Sequence, residues 1–385
     1  MVEMSRPLKR PTPHQLLTAS SKKHKKQDED SGTAHVLQLQ RVIGNQAVQR
    51  LLIARAVAAD APTLDTASST DFLSKPQVQS ALAFYKSQPQ RYSRNIIMDI
   101  QSEVGTPPTG RMTALDVQAV AKRQQEMNDA GEKPVLKIDG KAGPRTLPSI
   151  FKIGLAKDEA LDAFSEKASA LLTDSQGKSD EDIALELAAD VNKRLEDQKI
   201  PPMKIDTKQE LAGRGAFDAG PWQLLLDKRQ FIDDTLRNMK DTIATIYHEA
   251  RHAEQHFRIA QMLAGRRLSP ERIHKDTGIN LDIAKIAFKD PLKPATMEAV
   301  IAEGWHDSLF GDAGLAARTR NTREIKAAFD ARQAARKANK ENPSPQNQAK
   351  QVAAEDRFDK AVAEHDELPH EFDAERLEDR VEKKL

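Results

Sequence analysis

His248-Glu249-Ala250-Arg251-His252 constrains this chain more than any other stretch, because its two imidazoles can meet only if the segment is an α-helix. On a helix, positions i and i+4 share a face, so both rings can reach one cation while Glu249 lies alongside. The spacing nominates His248 and His252 as metal ligands and Glu249 as the general base that takes a proton from a cation-polarised water. The flanks agree with a helix. Ile243, Ile246, Ala250, Ala253, Phe257 and Ala260 recur at three- and four-residue spacing, Asp241 can cap the start, and Gly265 follows the last apolar residue. That apolar stripe lies roughly a quarter turn from the histidines, which predicts a helix packed on a core along one side with the histidines looking into a cleft. His256 extends the series to i+8, about 12 Å of helical rise away, too far for one cation to span, so a solvated or supporting role is expected for it. The bland alternative is a solvated helix that happens to carry two histidines beside a glutamate.

A catalytic zinc usually takes three protein ligands and a water, and a chain with no cysteine must supply the third from His, Asp or Glu. Glu371 ranks first. It lies in Leu368-Pro369-His370-Glu371-Phe372-Asp373-Ala374, where proline opens a helix and a small alanine three residues after the glutamate allows close approach to the metal helix. Glu303 and Glu298, on a helix ending in the unusually aromatic Trp305-His306-Asp307-Ser308-Leu309-Phe310, are the other named candidates, and a further group elsewhere stays open.

Composition sets the wider frame. The 385 residues are 38% hydrophobic and 30% charged with a formal net charge of +1, so packed regions should alternate with solvated ones and no global nucleic-acid signal exists. No segment reaches membrane-spanning length, and Met1 to Gln27 lacks the apolar core of a signal peptide, which predicts cytoplasmic synthesis and no membrane partner. Residues 1–27 hold seven Lys/Arg against one acid, Glu3, and residues 1–35 read as a disordered basic arm. Residues 36–54 form a short amphipathic helix with Leu39, Ile43, Ala47 and Leu51 at four-residue spacing, and 55–75 read as a linker.

Residues 76–155 are expected to form a small helical module. Its marks are Gly105-Thr106-Pro107-Pro108-Thr109-Gly110, a helix from Thr113 to about Met127, and Lys137-Ile138-Asp139-Gly140-Lys141-Ala142-Gly143-Pro144-Arg145-Thr146-Leu147, two glycine-rich turns that look like weakly related halves. Residues 156–385 carry the metal motif, with Trp222–Leu226 as the best strand candidate, whose open edge could pair with an extended peptide, and a charged helical C-terminal part whose faces are solvated. The fold class expected is mainly α, with α+β character around the metal helix.

Three resemblances extend this reading. Leu39-Gln40-Arg41-Val42-Ile43-Gly44-Asn45-Gln46-Ala47-Val48-Gln49-Arg50-Leu51-Leu52 resembles the N-terminal signature of proteins associated with bacterial extracellular contractile injection systems, which implies packaging in a tube lumen or docking on a baseplate. Asp139, Gly140, Gly143, Pro144 and Thr146 resemble the turn of the peptidoglycan-binding-like three-helix fold, although the Phe-Gln pair after its last helix is missing. Tyr247 to Gln255 resembles the zincin metallopeptidases, and Glu371-Phe372-Asp373-Ala374 looks like the Glu-x-x-Ala element that completes the zinc site in several of them. Together they imply a zinc-dependent peptidase acting on a protein or peptide, carried by an injection particle. The competing expectation is a non-enzymatic, particle-associated or wall-binding protein whose metal site is structural or vacant.

Overall fold

The computed structural model describes residues 72–211, 213–232 and 238–385. The basic arm, the signature helix of residues 36–54 and the linker as far as residue 71 lie outside them. Among the described residues the chain is mainly helical with one small sheet. Helices α1 (Lys75–Ser87), α2 (Arg94–Glu103), α3 (Ala114–Asp129) and α4 (Thr146–Phe151) come first, then a single 3-10 turn, Gly154–Ala156, followed by α5 (Asp158–Thr173) and α6 (Asp180–Asp197). Strands β1 (Lys204–Asp206), β2 (Gly215–Asp218) and β3 (Gln223–Leu226) and the short α7 (Arg229–Ile232) precede α8 (Met239–Gly265), the helix of the histidine motif. Six helices complete the chain: α9 (Pro270–Thr277), α10 (Leu281–Lys289), α11 (Met297–Leu309), α12 (Asp312–Glu341), α13 (Pro345–Asp366) and α14 (Pro369–Glu382). Among the described residues no helix is long and apolar enough to cross a membrane.

The two glycine-rich turns of the first four helices are held in the same way. Gln101 on α2 donates to Thr109 Oγ1 and the Arg111 carbonyl and accepts from Gly110 N; Gln124 on α3 donates to Thr146 Oγ1 and the Lys141 carbonyl and accepts from Asp139 N and Gly140 N. Each glutamine is fully buried and clamps the turn that follows its helix, which gives the weak sequence repeat a physical basis. Thr113, read from sequence as the start of this helix, is the N-cap of α3, accepting from Asp116 N while the Asp116 carboxylate accepts from Thr113 N.

Helix α8 is the central element. Asn238, three residues before the cap expected at Asp241, is the N-cap and accepts from Lys240 N and Asp241 N. The helix packs against α14, α10, α11 and α6, and is buried on every side. Here the structure departs from expectation: α14 lies across the histidine face, so the imidazoles sit under a helix and not at an open cleft. One continuous apolar core runs from Leu73 to Val381, and a satellite cluster of Met127, Leu136, Ile150 and Phe372 joins α3 and α4 to α14.

The strand prediction is corrected as well. Trp222 lies just outside β3, and β3 is the central strand, parallel to β1 and antiparallel to β2, so neither of its edges is open. Leu224 and Leu226 alternate inward as its period-2 pattern requires. The edge next to α8 belongs to β2. Gly215 makes that approach possible, since a Cβ there would stand 2.6 Å from Thr245 Cγ2 on α8. Helices α12 and α13 form a long hairpin with only Asn321, Ala328 and Ala361 buried, in keeping with charged, solvated faces.

Candidate metal centre

Pro369 at the first position of α14 puts Glu371 in the first turn, where the helix dipole favours an anion. The helix then crosses α8 so that Glu371 Oε2 lies 3.2 Å from His252 Nε2 and 3.7 Å from His248 Nε2, while the two Nε2 atoms are 3.0 Å apart. Three points at those separations lie on a circle of about 1.9 Å radius. A face of a tetrahedron with metal–ligand distances of about 2.05 Å has a circle of the same roughly 1.9 Å radius. The three separations fit one face of a tetrahedral coordination shell. Among the described residues the sequence candidates Glu303 and Glu298 do not join it. Glu303 is taken by Arg91 and Arg266, and Glu298 is exposed on the first turn of α11. A second acid group faces the other nitrogen of His248, with Glu378 Oε2 at 2.7 Å and Glu375 Oε1 at 3.8 Å from Nδ1. The Glu378 contact has ion-pair distance without the alignment of an in-line hydrogen bond.

The supporting groups form a chain. Gln255 Oε1 takes the Nδ1 side of His252 at 2.9 Å, which leaves Nε2 as the lone-pair nitrogen, and Gln255 Nε2 donates to the His370 carbonyl and to Asp373 Oδ2, both at 2.9 Å. Asp373 in turn accepts from Arg251 Nε at 2.8 Å. Arg251, fully buried, stacks 5.0 Å from the Trp305 ring centroid and donates to Glu254 Oε2 and to the Ile153 carbonyl. Glu254 Oε2 also accepts from Leu155 N. A Cβ on Gly154, whose φ is +61°, would meet Glu254 Oε1 at 1.5 Å, so only glycine leaves room for this carboxylate. One signal in the sequence marks this bolt: Arg251 and Glu254 stand at i and i+3 beside Ala250 and Ala253, within the apolar stripe. Gln255 and Asp373 carry no such signal.

Glu249 lies on the opposite side of the histidines, where Oε2 accepts from Phe217 N at 2.7 Å, so the edge strand β2 orients the carboxylate. Burial pushes its pKa up, against the pull of His248 and His252. His256 is half-buried and donates Nδ1–H to the His252 carbonyl; burial drives its pKa down to about 3, so it is neutral, and it takes no part in the ligand set. It stands between Phe217 and Phe310, at centroid distances of 5.4 and 6.0 Å, in an aromatic wall next to Glu249.

The donor set is strongly polarised. Burial opposes charge on His248 and His252, but the carboxylate of Glu371, with Glu378 for His248, outweighs it and raises both imidazoles. Burial likewise opposes charge on Glu371, and His252 and its neighbours overcome it to hold the carboxyl well below the usual range. Comparison with known proteins adds no relative: no family model matches the chain, and no curated protein or solved structure matches it significantly.

Proposed function

We propose that this chain is a zinc-dependent metallopeptidase of zincin type, with His248, His252 and Glu371 as ligands and Glu249 as general base. The single observation that carries the reading is the tetrahedral fit of three donor atoms from helices more than a hundred residues apart in sequence, with a buried carboxylate one residue from the first ligand. A bound zinc would polarise a peptide carbonyl and lower the pKa of a water toward neutrality. Glu249 supplies the rest. With Oε2 held by Phe217 N, its other oxygen is left to accept the proton, and the raised pKa suits a group that must later return it to the leaving amine.

The N-terminal signature supports a further part of the proposal, that the protein travels as cargo or accessory of an extracellular contractile injection particle, and α1 to α4 are read as its peptidoglycan-binding-like module. A second reading, a particle-associated or wall-binding protein with a structural metal, draws on one observation: His248, His252 and Glu249 are all at most 8% exposed. Zinc analysis of purified protein together with peptide turnover separates the two. The enzyme reading expects one zinc per chain and hydrolysis, both lost in His252→Ala. Zinc without turnover of any peptide in a broad library favours the second reading with a structural site, and no zinc at all overturns the enzyme reading and leaves the second with a vacant site.

A further inference from the structure

Four imidazoles converge on one carboxylate. His248 and His252 face Oε2 of Glu371, while His370 Nε2 and His365 Nε2 approach Oε1 at 3.1 and 3.3 Å. His365 and His370 do not form a second cation site with Glu371: among the described residues the donor groups able to converge on one ion are the proposed zinc set and the His248, Glu375, Glu378 group. They flank Oε1 instead.

We infer that His370 and His365 are positioning residues for the third zinc ligand, holding Oε1 so that Glu371 binds through Oε2 alone. This rests on the zinc reading above. Three observations carry it. His370 is 2% exposed and its tautomer is determined by its neighbours: Ser308 Oγ lies 2.8 Å from Nδ1, and with the hydroxyl donating there, Nε2 carries the hydrogen that faces Glu371. The His370 carbonyl is held by Gln255, the same residue that orients His252. A closed ring therefore runs from His252 through Gln255, His370 and Glu371 back to His252, and ties the ligand on α14 to the ligand on α8. Finally, His365 sits at the end of α13, whose last turn is fastened by Asn321 Nδ2 donating to the Glu364 carbonyl, so the base of the long hairpin reaches the metal ligand. A carboxylate oxygen flanked by two imidazole nitrogens at 3.1 and 3.3 Å is held for them, which leaves the other oxygen to bind a cation monodentately. Because each of the two events favours the other, zinc binding must also favour docking of the hairpin base.

The test uses the full chain and two metal probes. Zinc affinity by chelator competition and the visible spectrum of the cobalt(II) form are compared for wild type, His370→Ala, His370→Gln, Ser308→Ala and His365→Ala, with the melting temperature of each metal-free protein as the control for folding. His370→Ala is expected to lose about 10–100-fold in zinc affinity and to shift the cobalt spectrum, and His370→Gln, which restores an N–H donor, should recover part of both. Zinc should slow amide hydrogen exchange in the last turn of α13 in the wild type and not in His365→Ala. Unchanged affinity and spectrum in both His370→Ala and His365→Ala overturn the inference. So does an affinity loss that follows metal-free destabilisation and is not recovered by glutamine, since that is packing alone. A wild type that binds neither metal refutes the zinc site itself, and that result is read before any variant.

Discussion

Removing Glu371 should damage the metal site more than removing any other acid of the C-terminal helices, and the size of the effect follows from its surroundings. Supporting groups such as Gln255, which touches His252 Nδ1 but not the metal position, typically cost about 10–100-fold in affinity when lost. Glu371 supplies a donor atom and the negative charge of the donor set, so Glu371→Ala should exceed that range and cost more than about 2.7 kcal/mol, or 100-fold. Glu303→Ala breaks ion pairs with Arg91 and Arg266 on another face of α11, and Glu298→Ala removes an exposed carboxylate, so both should change zinc affinity by no more than about twofold. Loss of Glu371 also lowers the pKa of His248 and His252 and so makes them easier to deprotonate, which partly offsets the loss of the ligand at neutral pH. Chelator competition at about pH 8 reduces that offset, because metal binding competes with protons on the imidazoles. With circular dichroism confirming the fold, the expected order of loss is Glu371→Ala, then Gln255→Leu, then the other two variants. If Glu303→Ala or Glu298→Ala costs as much as Glu371→Ala, the assignment of the third ligand is wrong.

Glu249→Gln should keep zinc and fold while losing at least about 10²-fold in peptide hydrolysis, measured against any substrate the wild type cleaves; an unchanged rate removes Glu249 as the base. Apparent zinc affinity should still be climbing above pH 7, because raised imidazole pKa values keep protons competing past the ordinary value of about 6.5, and titrations that level off below that value would contradict the ion cluster. For the metal-free protein the signs run both ways. The raised histidines stabilise below about pH 6.5 and lose that contribution as pH rises through their folded pKa, and the lowered Glu371 stabilises above about pH 4.5 and loses it as pH falls, so metal-free melting temperature should peak between those limbs. Asp373→Ala, which takes one of the two carboxylates paired with the buried Arg251, should cost about 1–3 kcal/mol in unfolding free energy, whereas Asp373→Asn keeps an acceptor for Gln255 and should preserve more of the zinc affinity; equal effects of the two would show that charge, not the hydrogen-bond chain, matters at this position.

What could be read from sequence was what depends on local spacing. The i, i+4 histidines and the intervening glutamate require only helical periodicity, and Pro369 announced the helix start that places Glu371 in a first turn. The fate of the strand could not be read in the same way. An apolar run such as Gln223 to Leu226 looks alike as an edge or a centre, and only its pairing with both β1 and β2 decides between them. Nor does the stripe on α8 reveal that its polar side is covered too. That depends on α14, and the contact between Arg251 and Asp373 spans 122 positions of sequence.

The burial of Arg251, Glu254 and Gln255 on the metal helix is a poor way to gain stability. Burying charges costs several kcal/mol per ion before pairing, and well-packed apolar side chains of similar volume often do as well or better. Their placement makes sense as alignment. Arg251 and Glu254 join α8 to the Ile153 carbonyl and to Leu155 N on one side, and Asp373 and Gln255 join it to α14 on the other, so α8 can be seated in one rotation and one axial position only. Apolar packing tolerates small slides along a helix, whereas an in-line hydrogen bond weakens steeply once it is bent or stretched. A site whose donor atoms must stand about 3 Å apart tolerates little slide, since metal–ligand distances hold to within about 0.2 Å. The same α8 therefore carries the proposed ligands on one face and, a turn away, the polar bolt that sets where those side chains stand.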